Sequence, residues 1–139
     1  MCIRDSASSE LKAEALNRMA SEIRQASSAI LSANETDMKA ATAKGLSDAM
    51  CDRLKLDSGR IESIASGLEA ISALPDPVGD IDETWSQPNG LKFSKVRVPI
   101  GVIGMIYERR PNVTSDAGAL CLKTGKGFTL RGRSGKYKI

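Results

Sequence analysis

The chain has 139 residues, of which 20 are Lys or Arg and 17 are Asp or Glu, with no histidine and a net charge of +3. That length can bury one modest core, while three cysteines at wide spacing and the lack of histidine exclude a disulfide framework, a common zinc site and any His-based triad. The positive balance is confined to the end: the residues after Asp116 carry six cations and no acid, leaving 14 basic against 17 acidic residues before them, which is not the clustered cationic surface that nucleic acid requires.

Residues 1–7 share no periodicity with the helical pattern that begins at Ser8 and read as an unrelated leader. From Ser8, Leu16, Met19, Ala20, Ile23, Ala26, Ile30 and Leu31 recur at threes and fours, so an amphipathic helix is expected to about Ala33. Asn34 and Glu35 are expected to interrupt it, with a second helix from Thr36 to Lys44 stopped by Gly45. Ser47 caps a short turn through Leu54. Asp57 or Ser58 opens a clearer helix whose stripe is Ile61, Ile64, Ala65, Leu68, Ile71 and Leu74, ended by Pro75-Asp76-Pro77. These stripes read as core.

Beyond Pro77 the period changes to that of strands. Segments 81–87 and 91–98 flank Pro88-Asn89-Gly90, a hairpin turn signal. The alternation slips phase near Ser94 or Lys95, which predicts a bulge there. Ile100 to Tyr107 is apolar and uncharged and is expected to be a strand buried on both faces. A polar loop comes next, then a helix with Thr114, Ser115 and Asp116 as candidate caps, Gly125 as its stop, and a second strand from Phe128. Strand, helix, strand implies a right-handed parallel crossover, whose ligands gather at the carboxyl ends of the strands. Arg110 and Asn112 lie at that end.

Asn112 is the most informative residue. A side-chain amide held there can donate to an oxygen that becomes negative during attack on an acyl group, or it can simply cap the helix. Arg110 can hold a phosphate or carboxylate in fork geometry. Gly101 and Gly104 begin no dinucleotide fingerprint, and Lys123 to Gly127 lacks the spacing of a phosphate loop. Cys121, inside a helix, reads as a buried inert thiol. Val98 to Tyr107 is far shorter than the roughly 20 residues of a membrane span, and a cytoplasmic location is expected.

Several segments carry a resemblance: LPDPVG at 74–79, VPIGVIGMIYE at 98–108, RPNVT at 110–114 and LCLKTG at 120–125. With the surrounding residues, from about Leu11 to Gly125, they resemble the front part of the gamma-glutamyl phosphate reductase family, also called glutamate-5-semialdehyde dehydrogenases, within the aldehyde dehydrogenase superfamily. The resemblance implies an α/β fold: N-terminal helices (8–74), a β-hairpin (81–98) and the opening β-α-β of a doubly wound cofactor domain (99–131), then a divergent basic tail (132–139). It implies NADPH-dependent reduction of L-glutamyl 5-phosphate to L-glutamate 5-semialdehyde in proline biosynthesis. In that chemistry a cysteine thiolate attacks the acyl phosphate and hydride reduces the resulting thioester.

The resemblance places Asn112 where the superfamily has its oxyanion-stabilising asparagine and Arg131 near the cofactor ribose, while Arg110, from its own chemistry, is the candidate substrate-binding residue. It matches the hairpin to a segment used in homo-oligomer contacts and implies coupling with glutamate 5-kinase. None of Cys2, Cys51 and Cys121 matches the family's catalytic cysteine. The expectation is an inactive N-terminal fragment exposing apolar surface around Val102, Ile103 and Met105. The alternative is a helical, hairpin-dimerised interaction module without catalysis.

Overall fold

A computed structural model describes residues 7–107 and 110–132. The proposed leader, apart from Ala7, and the basic tail beyond Gly132 lie outside the described residues, as do Cys2, Glu108 and Arg109. Five helices and four strands run in the order α1 Ser9–Gln25, α2 Ser27–Ala43, α3 Asp48–Leu54, α4 Ser58–Ala73, β1 Ile81–Ser86, β2 Lys92–Val96, β3 Val102–Tyr107, α5 Asn112–Lys123 and β4 Gly127–Gly132. The α/β architecture is the expected one.

The core lies where α1, α4 and α5 meet. Leu16, Ala20, Ala65, Leu68 and Ala119 are fully buried there, with Met19, Ile23, Ile71 and Leu122 packed around them. The small residues let the helix axes approach closely, and the two leucines fill the space between them. Helix α1 runs antiparallel to α4. Near one end Arg24 forks between Glu62 and Glu69, and near the other Lys12 reaches Asp76 just past α4. Arg24 holds both glutamate carboxyls below the usual carboxylate range, chiefly through its hydrogen bonds. Helix α5 runs parallel to α4, since Lys123 at its end donates to the Ser72 carbonyl at 2.9 Å.

Two expectations about helices are corrected. The first helix ends at Gln25 rather than Ala33, and the chain passes straight through Asn34 and Glu35 inside α2. Asn34 does not interrupt because its amide is satisfied elsewhere. Its Nδ2 donates to the Leu54 carbonyl at 2.9 Å, and its Oδ1 accepts from the Leu56 N–H at 2.8 Å. A buried amide clipped to a distant backbone no longer competes for its own. The breaks at Gly45, with φ 68°, and at Asp57, whose side chain accepts from the Arg60 N–H, fall where the sequence puts them.

Strands β1 and β2 form an antiparallel hairpin closed by Gly90 at φ 86°. Its irregularity lies between Ile81 and Glu83, so the extra residue is on β1 and not at Ser94 or Lys95 on β2. Asp82 there accepts from Arg97 at 2.7 Å. That ion pair gives the extra residue a partner across the hairpin.

Strands β3 and β4 pair in parallel, from Val102 opposite Gly127 to Tyr107 opposite Gly132. Helix α5 covers one face of this two-stranded sheet. Gly118 lies against Phe128, and a Cβ there would sit 3.2 Å from the ring. Burial on both faces is not observed. Val102 and Ile106 are 74% and 76% exposed, whereas Ile103 and Met105 are half-buried on the helix side. The exposed apolar residues on this strand are therefore Val102 and Ile106, because strand alternation turns 103 and 105 toward α5. A parallel pair with one open face is expected to self-associate. Replacing both residues by lysine should shift sedimentation velocity toward monomer, and an unchanged distribution would show that this face is not the adhesive one.

Candidate functional site

The loop after β3 delivers Arg110, Pro111 and Asn112 to one side of a cleft of about 440 Å³. The cleft lies beyond the carboxyl end of β3, the position at which open α/β sheets gather ligands. Its opposite wall comes from the end of α3 and the first turns of α4. That wall contributes the apolar Leu56 and Ile64 and the cations Arg53 and Lys55 to the lining. The parallel course of α4 and α5 brings their starts together here.

Helix α5 begins two residues earlier than its expected caps. Asn112 is its first residue, and no side chain caps it. The Ser115 hydroxyl donates to the Asn112 carbonyl at 2.7 Å, and the Val113 N–H donates to the Arg110 carbonyl at 3.2 Å. Tyr107 and Thr114 hydroxyls meet at 3.0 Å, tying the end of β3 to the first turn of α5. Thr114, Ser115 and Asp116 thus brace the first turn and do not cap it.

Asn112 is exposed and its amide Nδ2 donates to Asp116 Oδ2 at 3.0 Å. One N–H is spent on holding the side chain against its own helix, so the second remains for a ligand. Asn112 is a helix residue rather than a cap.

The opposite wall is not legible as a site in the sequence. Arg60 bridges α3 and α4, donating from Nη1 to the Asp52 and Lys55 carbonyls and pairing through Nη2 with Asp52 Oδ1 at 2.9 Å. It satisfies carbonyls left free at the end of α3. The run Asp52-Arg53-Leu54-Lys55 reads locally as no more than a capped turn, and four residues with three charges just before a helix start are the signal available.

The structure does not bring all the candidates together. Arg110 and Asn112 share the cleft, whereas Arg131 is exposed on β4, paired with Ile106 and away from the cleft lining. Cys121 is 2% exposed inside α5, as expected, and Cys51 is half-buried on α3 with its thiol directed at the Leu46 carbonyl. Neither described cysteine lines the cleft. Among the described residues there is no group of acidic, histidine or cysteine side chains able to hold a metal ion, and no helix is long and apolar enough to cross a membrane.

No family model matches the chain, but individual proteins do. It is 54% identical over 127 residues to gamma-glutamyl phosphate reductase of Geobacillus thermodenitrificans, covering 91% of this chain and 31% of that protein. The corresponding protein of Rhodospirillum rubrum is 58% identical over 118 residues, 85% of this chain and 28% of the other. The crystal structure of gamma-glutamyl phosphate reductase from Thermotoga maritima superposes with a TM-score of 0.88 at 38% identity, over 94% of this chain and 31% of that one. The enzyme of that name from Saccharomyces cerevisiae gives 0.88 at 31% identity, over 94% and 33%. The chain therefore spans about three tenths of the length of the relatives it matches. By sequence and by backbone alike, it is similar to the N-terminal part of the gamma-glutamyl phosphate reductases.

Proposed function

We propose that this chain supplies the oxyanion-stabilising side of an active site that reduces L-glutamyl 5-phosphate to L-glutamate 5-semialdehyde, and that alone it has no reductase activity. The observation that carries this reading is the Asn112 amide, held by Asp116 at the cleft beyond β3. In the reaction a cysteine thiolate adds to the acyl carbon, the carbonyl electrons move to oxygen, phosphate leaves with its bonding pair, and a thioester remains. The free N–H of Asn112 donates to that oxyanion, and Asp116 keeps the amide aimed without reorganisation. Arg110, on the same wall, offsets the phosphate charge as it builds on the leaving group.

The reductant proposed from the resemblance is NADPH, which when bound supplies hydride to the thioester, releasing the aldehyde and the thiolate. The described residues do not form its site. Arg131 offers one cation toward a ribose phosphate, and no step is assigned through the cofactor. We take residues 8–131 as the reductase part and 132–139 as divergent. The acyl phosphate is labile, which implies supply by a kinase acting on the glutamate side chain, glutamate 5-kinase in the family. The hairpin, whose Trp85 and Phe93 rings stack at 5.5 Å and are about two-fifths exposed, is proposed as the homo-oligomer contact. The compartment is proposed to be the cytoplasm.

The inactivity we propose rests, among the described residues, on the position of the two thiols. Covalent catalysis requires the nucleophile within reach of the acyl carbon, yet Cys51 and Cys121 lie in helices off the cleft. The purified chain should therefore oxidise no NADPH above background when glutamyl phosphate is generated in place. Turnover abolished by Cys51→Ser or Cys121→Ser would overturn this reading.

A further inference from the structure

The cleft carries charge that the oxyanion role does not use. Four cations line it, Arg53, Lys55, Arg60 and Arg110, against two carboxylates, Asp52 and Asp116. Both carboxylates are engaged, Asp52 by Arg60 and Asp116 by the Asn112 amide. Arg60 is engaged as well, by Asp52 and two carbonyls. Among the described residues no side-chain hydrogen bond or ion pair is made by Arg53, Lys55 or Arg110. The unengaged charge is thus positive and comes from two segments, Arg53 and Lys55 at the end of α3 and Arg110 after β3, with Leu56 and Ile64 as apolar residues of the same lining.

We propose that the cleft is a binding site for a short aliphatic chain bearing an anionic group at each end, one end held by Arg110 and the other by Arg53 and Lys55. The apolar lining suits methylene groups, and cations carried on two different segments suit two anions rather than one. Resting on the functional reading above, this assigns Arg53 and Lys55 to recognition of the substrate's α-carboxylate, at the far end from the acyl phosphate. They are positioning residues for specificity.

Ligand-observed saturation-transfer NMR on the full chain tests this, since it reads weak binding and tolerates self-association. Glutarate, with two carboxylates, is expected to bind at least tenfold more tightly than butyrate, with one. Arg53→Ala combined with Lys55→Ala should erase that preference and leave butyrate binding unchanged, whereas Arg53→Lys with Lys55→Arg should keep it. Should the alanine pair unfold, salt gives an independent readout. The preference must collapse toward roughly 1 M NaCl, where charges are screened beyond about 3 Å. Equal binding of the two acids, a preference that survives the alanine pair, or one insensitive to salt would each overturn the proposal. Diacid binding without reductase activity in a completed protein would sink the functional reading and leave the cleft assignment. An Asn112-dependent reductase with no dianion preference would do the reverse.

Discussion

Asn112→Ala is expected to lower turnover about 100- to 1,000-fold, the usual loss for one oxyanion donor, when the chain is joined in frame to the remaining sequence of the Geobacillus thermodenitrificans relative. The alanine removes an N–H that has its full effect only once the acyl oxygen is charged. The loss should therefore fall on turnover, with KM nearly unchanged. Asp116→Ala should give a smaller loss of the same kind, because Asp116 holds the amide at 3.0 Å without touching the reacting atoms. Turnover indifferent to Asn112→Ala in an active fusion would remove the residue from the mechanism.

Lys12→Ala should destabilise the chain by about 3–5 kcal/mol, the cost of leaving one partner of a buried pair uncompensated. The Lys12 ammonium lies 2.7 Å from Asp76, and the two side chains are only 5% and 12% exposed. Burial pushes the Asp76 carboxyl upward, but the hydrogen bond from Lys12, the Val78 N–H and the charges of Lys12 and Lys123 together outweigh it, and the group sits below its ordinary value. A carboxyl depressed in the folded state stabilises above its unfolded pKa of about 3.9, and that contribution is lost as pH falls through the lower folded value. The gap between wild type and Lys12→Ala, read by urea melts, should therefore be full at neutral pH and shrink below about pH 4. Lys12→Met with Asp76→Asn, which keeps an acceptor for the Val78 N–H, should recover most of the loss. A gap that is flat with pH would mean that Lys12 acts through packing alone.

This pair also explains why the two ends of the helical layer differ. Lys12, Asp76 and Lys123 pin together α1 and the ends of α4 and α5, and a Cβ at Gly125, where φ is 65°, would crowd Pro99 at 3.3 Å. At the opposite end the helices open into the cleft. The closed end fixes the angle between α4 and α5, and the open end uses it.

Much of this is legible in the residues. The Leu16 and Leu68 stripes, the Gly45, Asp57 and Gly125 boundaries, the turn at Asn89-Gly90 and the strand-helix-strand order all come from local periodicity and backbone preference, which neighbouring residues largely decide. Asn112 and Arg110 are identifiable because a loop after an apolar strand needs little tertiary information to be placed. Three things require the folded chain. Asn34 reads as a break because its distant partners at Leu54 and Leu56 cannot be seen in a local window. Val102 and Ile106 read as buried because apolarity reports a preference for burial, while the faces actually covered depend on what packs there. The cationic wall at Arg53 and Lys55 joins Arg110 only because α4 and α5 run side by side. That juxtaposition of residues more than fifty positions apart is a property of helix packing, which no local pattern encodes.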